Sequence, residues 1–147
     1  DVACALGVAQ IERLEELLSG RERVAALYGE ALADIDGVEL PYPDTGGDRR
    51  SWFVYVVKLP ADVDRDGAIE ALRARGVDSK PYLPAIHLMS FYRERFGHRE
   101  GEFPVCEDVA RRSLALPFFP QLTEGQVSEV VEALGQVLAE SRLSSTR

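Results

Sequence analysis

The run Trp52 to Leu59, WFVYVVKL, constrains the fold more than any other stretch. Both alternating sets are apolar, with Trp52, Val54 and Val56 on one side and Phe53, Tyr55, Val57 and Leu59 on the other. Such a run predicts a central strand covered on both faces, so the rest of the chain has to supply the layers that cover it. Lys58, near the end of the run, is expected to reach solvent along its apolar stem, and Trp52 reads as core.

Helical patterns flank this strand. Residues 3–35 read as helix, with Gly7, Ile11, Leu14 and Leu18, then Val24, Leu27, Tyr28, Ala31 and Ile35, on one stripe, and Ser19-Gly20 as a bend or break. The opposite face carries Glu12, Arg13, Glu15, Glu16, Arg21, Glu22 and Arg23, a solvated charge pattern. The opening turn is rich in small residues, Ala3, Cys4, Ala5 and Gly7, which allow another backbone to come close. It reads either as a frayed end or as a helix that begins inside a larger protein and packs on structure outside this sequence. Gly37 stops the helix, and Val38 to Leu40 can pair as a short strand before Pro41 and Pro43. The loop Asp44 to Arg50, DTGGDRR, has too little apolar content for a core. It lacks the following helix N-terminus and the spacing that a phosphate cradle needs.

Asp64 is placed to cap a helix from Arg65 to Arg75, with Val63 and Ala68 as a hydrophobic staple, Ile69 and Leu72 buried, and Gly76 as the stop. Val77 to Tyr82 predicts a second strand, completing a strand, helix, strand unit. Phe91 to Phe96 predicts a short helix, and GHREGE, residues 97–102, an exposed loop in which His98 is solvated. Pro104 suits the first position of a helix to about Ser113, and Leu114 to Leu116 can add an edge strand. Thr123 and Gln126 form a capping-box pattern ahead of a helix that buries Val127, Val130, Val131, Leu134, Val137 and Leu138. Residues 141–147 show no periodicity and predict a mobile tail. The whole predicts an α+β fold, a small antiparallel sheet of about three strands packed with helices. The expected organisation is a leading interdomain helical region at 1–36, a small domain at 37–140 and the tail.

Polar chemistry and rigid backbone concentrate in Ser79 to Tyr92, SKPYLPAIHLMSFY, which holds one of two histidines, one of two lysines and the only methionine. Pro81 and Pro84 push Lys80 and Leu83 toward extended backbone, giving a stiff segment that can hold a side chain still. His87 and Tyr92 are candidates to face a ligand, with Ile86, Leu88, Met89 and Phe91 turned inward. The commoner role for a histidine between two aliphatic residues is hydrogen-bonded packing.

Composition narrows the function. The chain has 147 residues, enough for one domain with a proper core, and 46% of them are hydrophobic. With 25 acidic against 17 basic residues the net charge is −8, which argues against nucleic acid or an anionic membrane as partner. There is no apolar run of spanning length and no signal-peptide pattern, so the expected location is cytoplasmic. Cys4 and Cys106 are far apart without CxxC spacing and predict buried thiols rather than a metal site or a disulfide. No HExxH or GxSxG pattern occurs, and no metal site is expected.

The runs YLPAIHLMSFY and EGEFPVCEDVARRSLALPFFPQLTEGQVSEVVEAL resemble the C-terminal domain of the DegT/DnrJ/EryC1/StrS aminotransferases. The opening DVACALGVAQIERLEELL resembles the helix that leads into that domain, and the likeness extends in order from residue 1 to about 140. Ala85 stands where relatives often carry a second proline.

The resemblance implies a pyridoxal 5'-phosphate enzyme of fold type I, in which the small C-terminal domain follows a helix that runs between the two domains. Its activity would be transfer of an amino group, usually from glutamate, to a keto sugar carried by a nucleotide. It also implies a homodimer with sites at the subunit boundary. The cofactor is held as an imine by a lysine, and neither Lys58 nor Lys80 lies in the family's Ser-x-x-Lys setting. The resemblance therefore implies that the cofactor-binding and catalytic residues precede Asp1 and that this chain alone is inactive. Lys80, Tyr82 and His87 would border the substrate cleft, as a cation and hydrogen-bonding groups for phosphates and hydroxyls. Two other readings stay open. One is an independent ACT-like ligand-binding or dimerisation module suggested by residues 52–82. The other is a family relative that serves as a dehydratase or structural partner.

Overall fold

The computed structural model describes residues 1–145. Two helices open the chain, α1 (Val2–Glu12) and α2 (Leu14–Ala31). Then come β1 (Tyr55–Lys58), α3 (Arg65–Ala74), β2 (Lys80–Pro81), a 3-10 turn Ile86–Leu88, α4 (Ser90–Phe96), α5 (Pro104–Arg112), β3 (Ser113–Leu116) and α6 (Glu124–Ser145). The expected α+β architecture is observed, with a three-stranded antiparallel sheet in the order β1-β3-β2.

The order of the strands overturns one reading. The central strand is β3, expected at an edge, with Leu114 opposite both Val57 and Pro81. WFVYVVKL is not central: only Tyr55–Lys58 is strand, and Phe53 is 79% exposed. Its other neighbour is a single bridge, Glu39 to Lys58, in place of the expected strand at Val38 to Leu40. The second expected strand shrinks to two residues, and Pro81, which has no amide hydrogen to donate, suits an edge. Since β1 and β2 both run antiparallel to β3, the strand, helix, strand unit is split by a strand from 32 residues further on, Pro81 to Ser113.

One face of the sheet, α2, α3 and α6 form the core. Tyr28, Tyr55, Val57, Leu59, Leu72, Leu114 and Leu134 are almost fully buried there. Tyr28 stacks on Tyr55 at 4.9 Å, Tyr55 on Trp52 at 5.6 Å, and the Tyr28 hydroxyl donates to the Pro117 carbonyl at 2.8 Å. Burial pushes the Tyr55 phenol up to about 12, so the stack stays neutral. The caps fall where the sequence places them. Asp64 accepts from the amides of Asp66 and Gly67, and Thr123 and Gln126 cap each other reciprocally.

The helical opening departs from its pattern. The break lies at Arg13, between α1 and α2, and the helix runs unbroken through Gly20. That glycine instead permits a close approach: a Cβ there would lie 2.8 Å from Pro120 Cβ. Arg23 secures the contact through the carbonyls of Pro120 and Leu122 at 3.1 and 2.9 Å. No residue of α1 is buried, and Ile11 and Leu14, assigned to the inward stripe, are exposed. Both arginines of DTGGDRR are engaged by carboxylates, Arg49 by Glu15 and Glu22 and Arg50 by Asp44, so the loop is a strut on α2. At the other end α6 continues through Ser145 where a tail was expected, and Thr146 and Arg147 lie outside the described residues.

Candidate functional site

The stretch after β2 leaves the core and forms a groove of about 1000 Å³ with the loop at 97–103 and α5. Tyr82, Leu83, Ile86, His87, Tyr92 and Phe103 are among its walls. The prolines stiffen it only in part. Lys80 is extended in β2, but Leu83 adopts φ 49°, a left-handed value that runs against the preference of a residue preceding proline.

Three of the four side chains expected to turn inward are exposed, Leu88 alone being half-buried, while Tyr92 and His87 both line the groove. His87 is the inward residue at 9% exposed, whereas Ile86, Met89 and Phe91 are 58%, 47% and 60% exposed. The burial of His87 has a specific cause. Its Nε2 lies 2.9 Å from Glu107 Oε1, and Phe103 packs edge-on at 4.8 Å. Glu107 is in turn fixed by amide hydrogens, Gly101 donating to both of its oxygens at 3.0 and 2.9 Å and Phe103 to one at 3.2 Å. The Gly101 amide and the His87 ring hold the Glu107 carboxyl below the usual carboxylate range.

A second pair lies alongside. His98 is no solvated loop residue: its Nδ1 lies 2.7 Å from Glu102 Oε2 and its ring is edge-on to His87 at 6.1 Å. That contact holds the Glu102 carboxyl down as well. Two imidazoles, each tethered through one nitrogen, can exchange protons or hydrogen bonds with a group in the groove.

Of the three proposed substrate residues, the structure brings Tyr82 and His87 into this groove and leaves Lys80 outside it, exposed on the edge strand. Neither lysine nor arginine lines the groove, so among the described residues no cation here meets a phosphate. Lys58 is not free in solvent, since its Nζ pairs with Glu39 at 2.6 Å. Both cysteines are exposed, contrary to the expectation of buried thiols, and Cys106 lines the groove. No set of His, Cys, Asp or Glu side chains among the described residues could hold a metal ion. Sequence reasoning missed Glu107 and Glu102. The available signal was an acidic residue in the first turn after Pro104, a position that favours a carboxylate near free amides.

The groove sets exposed apolar side chains such as Leu83, Ile86 and Val105 beside His87, His98 and Glu102, and most residues of α1 are apolar yet uncovered, so the fold and site present surfaces suited to contact. The chain belongs to the DegT/DnrJ/EryC1/StrS aminotransferase family, which matches residues 1–135. It is 30% identical over 142 residues to the spore coat polysaccharide biosynthesis protein SpsC of Bacillus subtilis, covering 94% of this chain and 36% of that one. It is 31% identical over 132 residues to the dTDP-4-dehydro-2,3,6-trideoxy-D-glucose 4-aminotransferase of Saccharopolyspora spinosa, covering 90% and 33%. The aminotransferase TlmJ of Streptoalloteichus hindustanus superposes with a TM-score of 0.83 at 31% identity, over 95% of this chain and 37% of that one. The chain thus spans about a third of the length of the relatives it matches.

Proposed function

We propose that this chain is the C-terminal lobe of a pyridoxal-phosphate-dependent aminotransferase that moves an amino group from glutamate to the ketone carbon of a nucleotide-linked sugar. It contributes one wall of the substrate cleft and none of the covalent machinery. The observation that carries this reading is α1. A helix that is apolar around its whole circumference is a buried helix, yet Val2, Leu6, Val8 and Ile11 are 80%, 63%, 57% and 70% exposed. Their cover is assigned to the remainder of the protein, in keeping with a chain that spans about a third of its relatives.

The residues present do not fit the cofactor. Lys58 is held by Glu39 at 2.6 Å at the margin of the sheet, and Lys80 is exposed outside the groove. We therefore assign the cofactor, its lysine and the phosphate contacts to the part of the protein outside this chain. Tyr82 and His87 then offer hydrogen bonds to sugar hydroxyls, whereas Lys80 would reach a nucleotide phosphate only from the rim. A dimer with sites at the boundary between subunits fits the same exposed surfaces.

The full-length protein, supplied with pyridoxal phosphate, glutamate and a panel of keto-sugar nucleotides, is expected to aminate at least one of them. A protein that holds the cofactor and aminates none would overturn the reading. Pyridoxal phosphate added to this chain alone is expected to give no new visible absorbance, and a stable imine at Lys58 or Lys80 counts against the assignment.

A further inference from the structure

The groove contains one arrangement that the proposed reaction does not require by itself. The Glu107 carboxyl sits against the His87 ring and is pinned from behind by the Gly101 and Phe103 amides. An ionised carboxylate only accepts hydrogen bonds. With two backbone amides donating to it, Glu107 has every reason to stay ionised, so the proton shared with His87 must sit on Nε2. In neutral imidazole the other nitrogen then carries a lone pair. Among the described residues no group hydrogen-bonds His87 Nδ1, and the ring lines the groove.

We propose that Glu107 is a positioning residue: it locks His87 in the Nε2–H tautomer, so that Nδ1 faces the groove as an acceptor for a hydroxyl or amine of the bound sugar. This rests on the reading of His87 as a substrate contact given above. The geometry supplies the rigidity such a role needs. Glu107 stands in the first turn of α5, Phe103 packs against the ring at 4.8 Å, and the ring is 9% exposed. A flipped tautomer would present Nδ1–H to the groove, so a hydroxyl there would have to turn and accept instead of donate, and an amine hydrogen would lose its acceptor. Glu107 acts through His87 and touches no reacting atom.

The test uses the full-length protein labelled with ¹⁵N at histidine, with the His87 signals assigned by their loss in His87→Asn. The expected result is a protonated Nε2 and a bare Nδ1 in the parent, a mixture of tautomers in Glu107→Ala, and the parent pattern in Glu107→Gln, whose side-chain oxygen can still accept. Kinetics use the keto-sugar nucleotide on which the parent turns over fastest. Glu107→Ala is expected to lower kcat/KM about tenfold, chiefly through KM, as loss of one hydrogen bond to a polar partner does. The same substitution should have little further effect on top of His87→Ala, because the two residues act as one unit. A tautomer unchanged in Glu107→Ala, or a full kcat/KM loss that persists without His87, overturns the proposal. If His87→Ala itself leaves KM unchanged, it is the reading of His87 as a substrate contact that fails, whatever the tautomer shows.

Discussion

Leu134 and Val105 are both aliphatic residues on helices, yet Leu134 is completely buried and Val105 is 78% exposed. They stand for two regions. In the first, α2, α3, α6 and one face of the sheet close on each other, and Val24, Tyr28, Leu72, Val127, Leu134 and Val137 find cover there. In the second, α1 and residues 83–109 leave Leu6, Ile11, Phe91, Phe96, Val105 and Val109 between 44% and 78% exposed. The difference teaches that apolar patterning states a demand for burial without saying who meets it. Exposed apolar side chains in such number are what the proposed contacts with the rest of the protein would cover.

Substitutions can break the comparison, and the largest effect belongs to the closed region. Leu134→Ala should destabilise this chain by about 2–5 kcal/mol in denaturant unfolding, whereas Val105→Ala should stay within about 0.5 kcal/mol. A loss at Val105 equal to that at Leu134 would mean that the groove is part of a self-contained core. Gly20→Ala comes next. Its Cβ would sit 2.8 Å from Pro120, so a midpoint shift equivalent to about 1–3 kcal/mol is expected from overpacking. Asp64→Ala should cost about 1 kcal/mol through the lost cap, and Asp64→Asn should recover most of it.

The smallest effect sharpens the second region. Glu107 titrates below its ordinary value of 4.5 in the folded chain, chiefly through the Gly101 amide and then His87. A depressed carboxyl contributes stability that is fully present above the unfolded value and fades as pH falls through the folded one. The stability gap between the parent and Glu107→Gln should therefore narrow on acidification below about 4.5, a trend that a pH series of urea midpoints would read. In the full-length protein, by contrast, Leu6→Asp should weaken the whole assembly while leaving this chain's own unfolding unchanged. An equal loss in both would argue that α1 is a solvated helix after all.

Much of the fold was legible from residues that act locally. Asp64, Thr123 with Gln126, Pro104 and Gly76 place helix ends because capping needs only neighbours a few positions away. The break at Arg13 was not legible, since neither glycine nor proline marks it, and Gly20 misled because its function is contact with Pro120, far along the chain. Of the groove, Tyr82, His87 and Tyr92 were singled out in advance, but Ile86, Met89 and Phe91 were expected inward and are exposed. Periodicity cannot tell which side of a short turn faces a partner when that partner, Glu107, comes from another element.

The sequence by itself determined where most helices lie, the caps at Asp64 and Thr123, the α+β class and the family, because each rests on local patterning or on residues kept in order along the chain. Only the tertiary structure decided that β3 rather than WFVYVVKL lies at the centre of the sheet. It also decided that His87 turns in toward a carboxylate and that α1 stands uncovered. Those outcomes depend on which surfaces meet, and burial is a property of the pair, settled by the desolvation of both partners rather than by the apolarity of either.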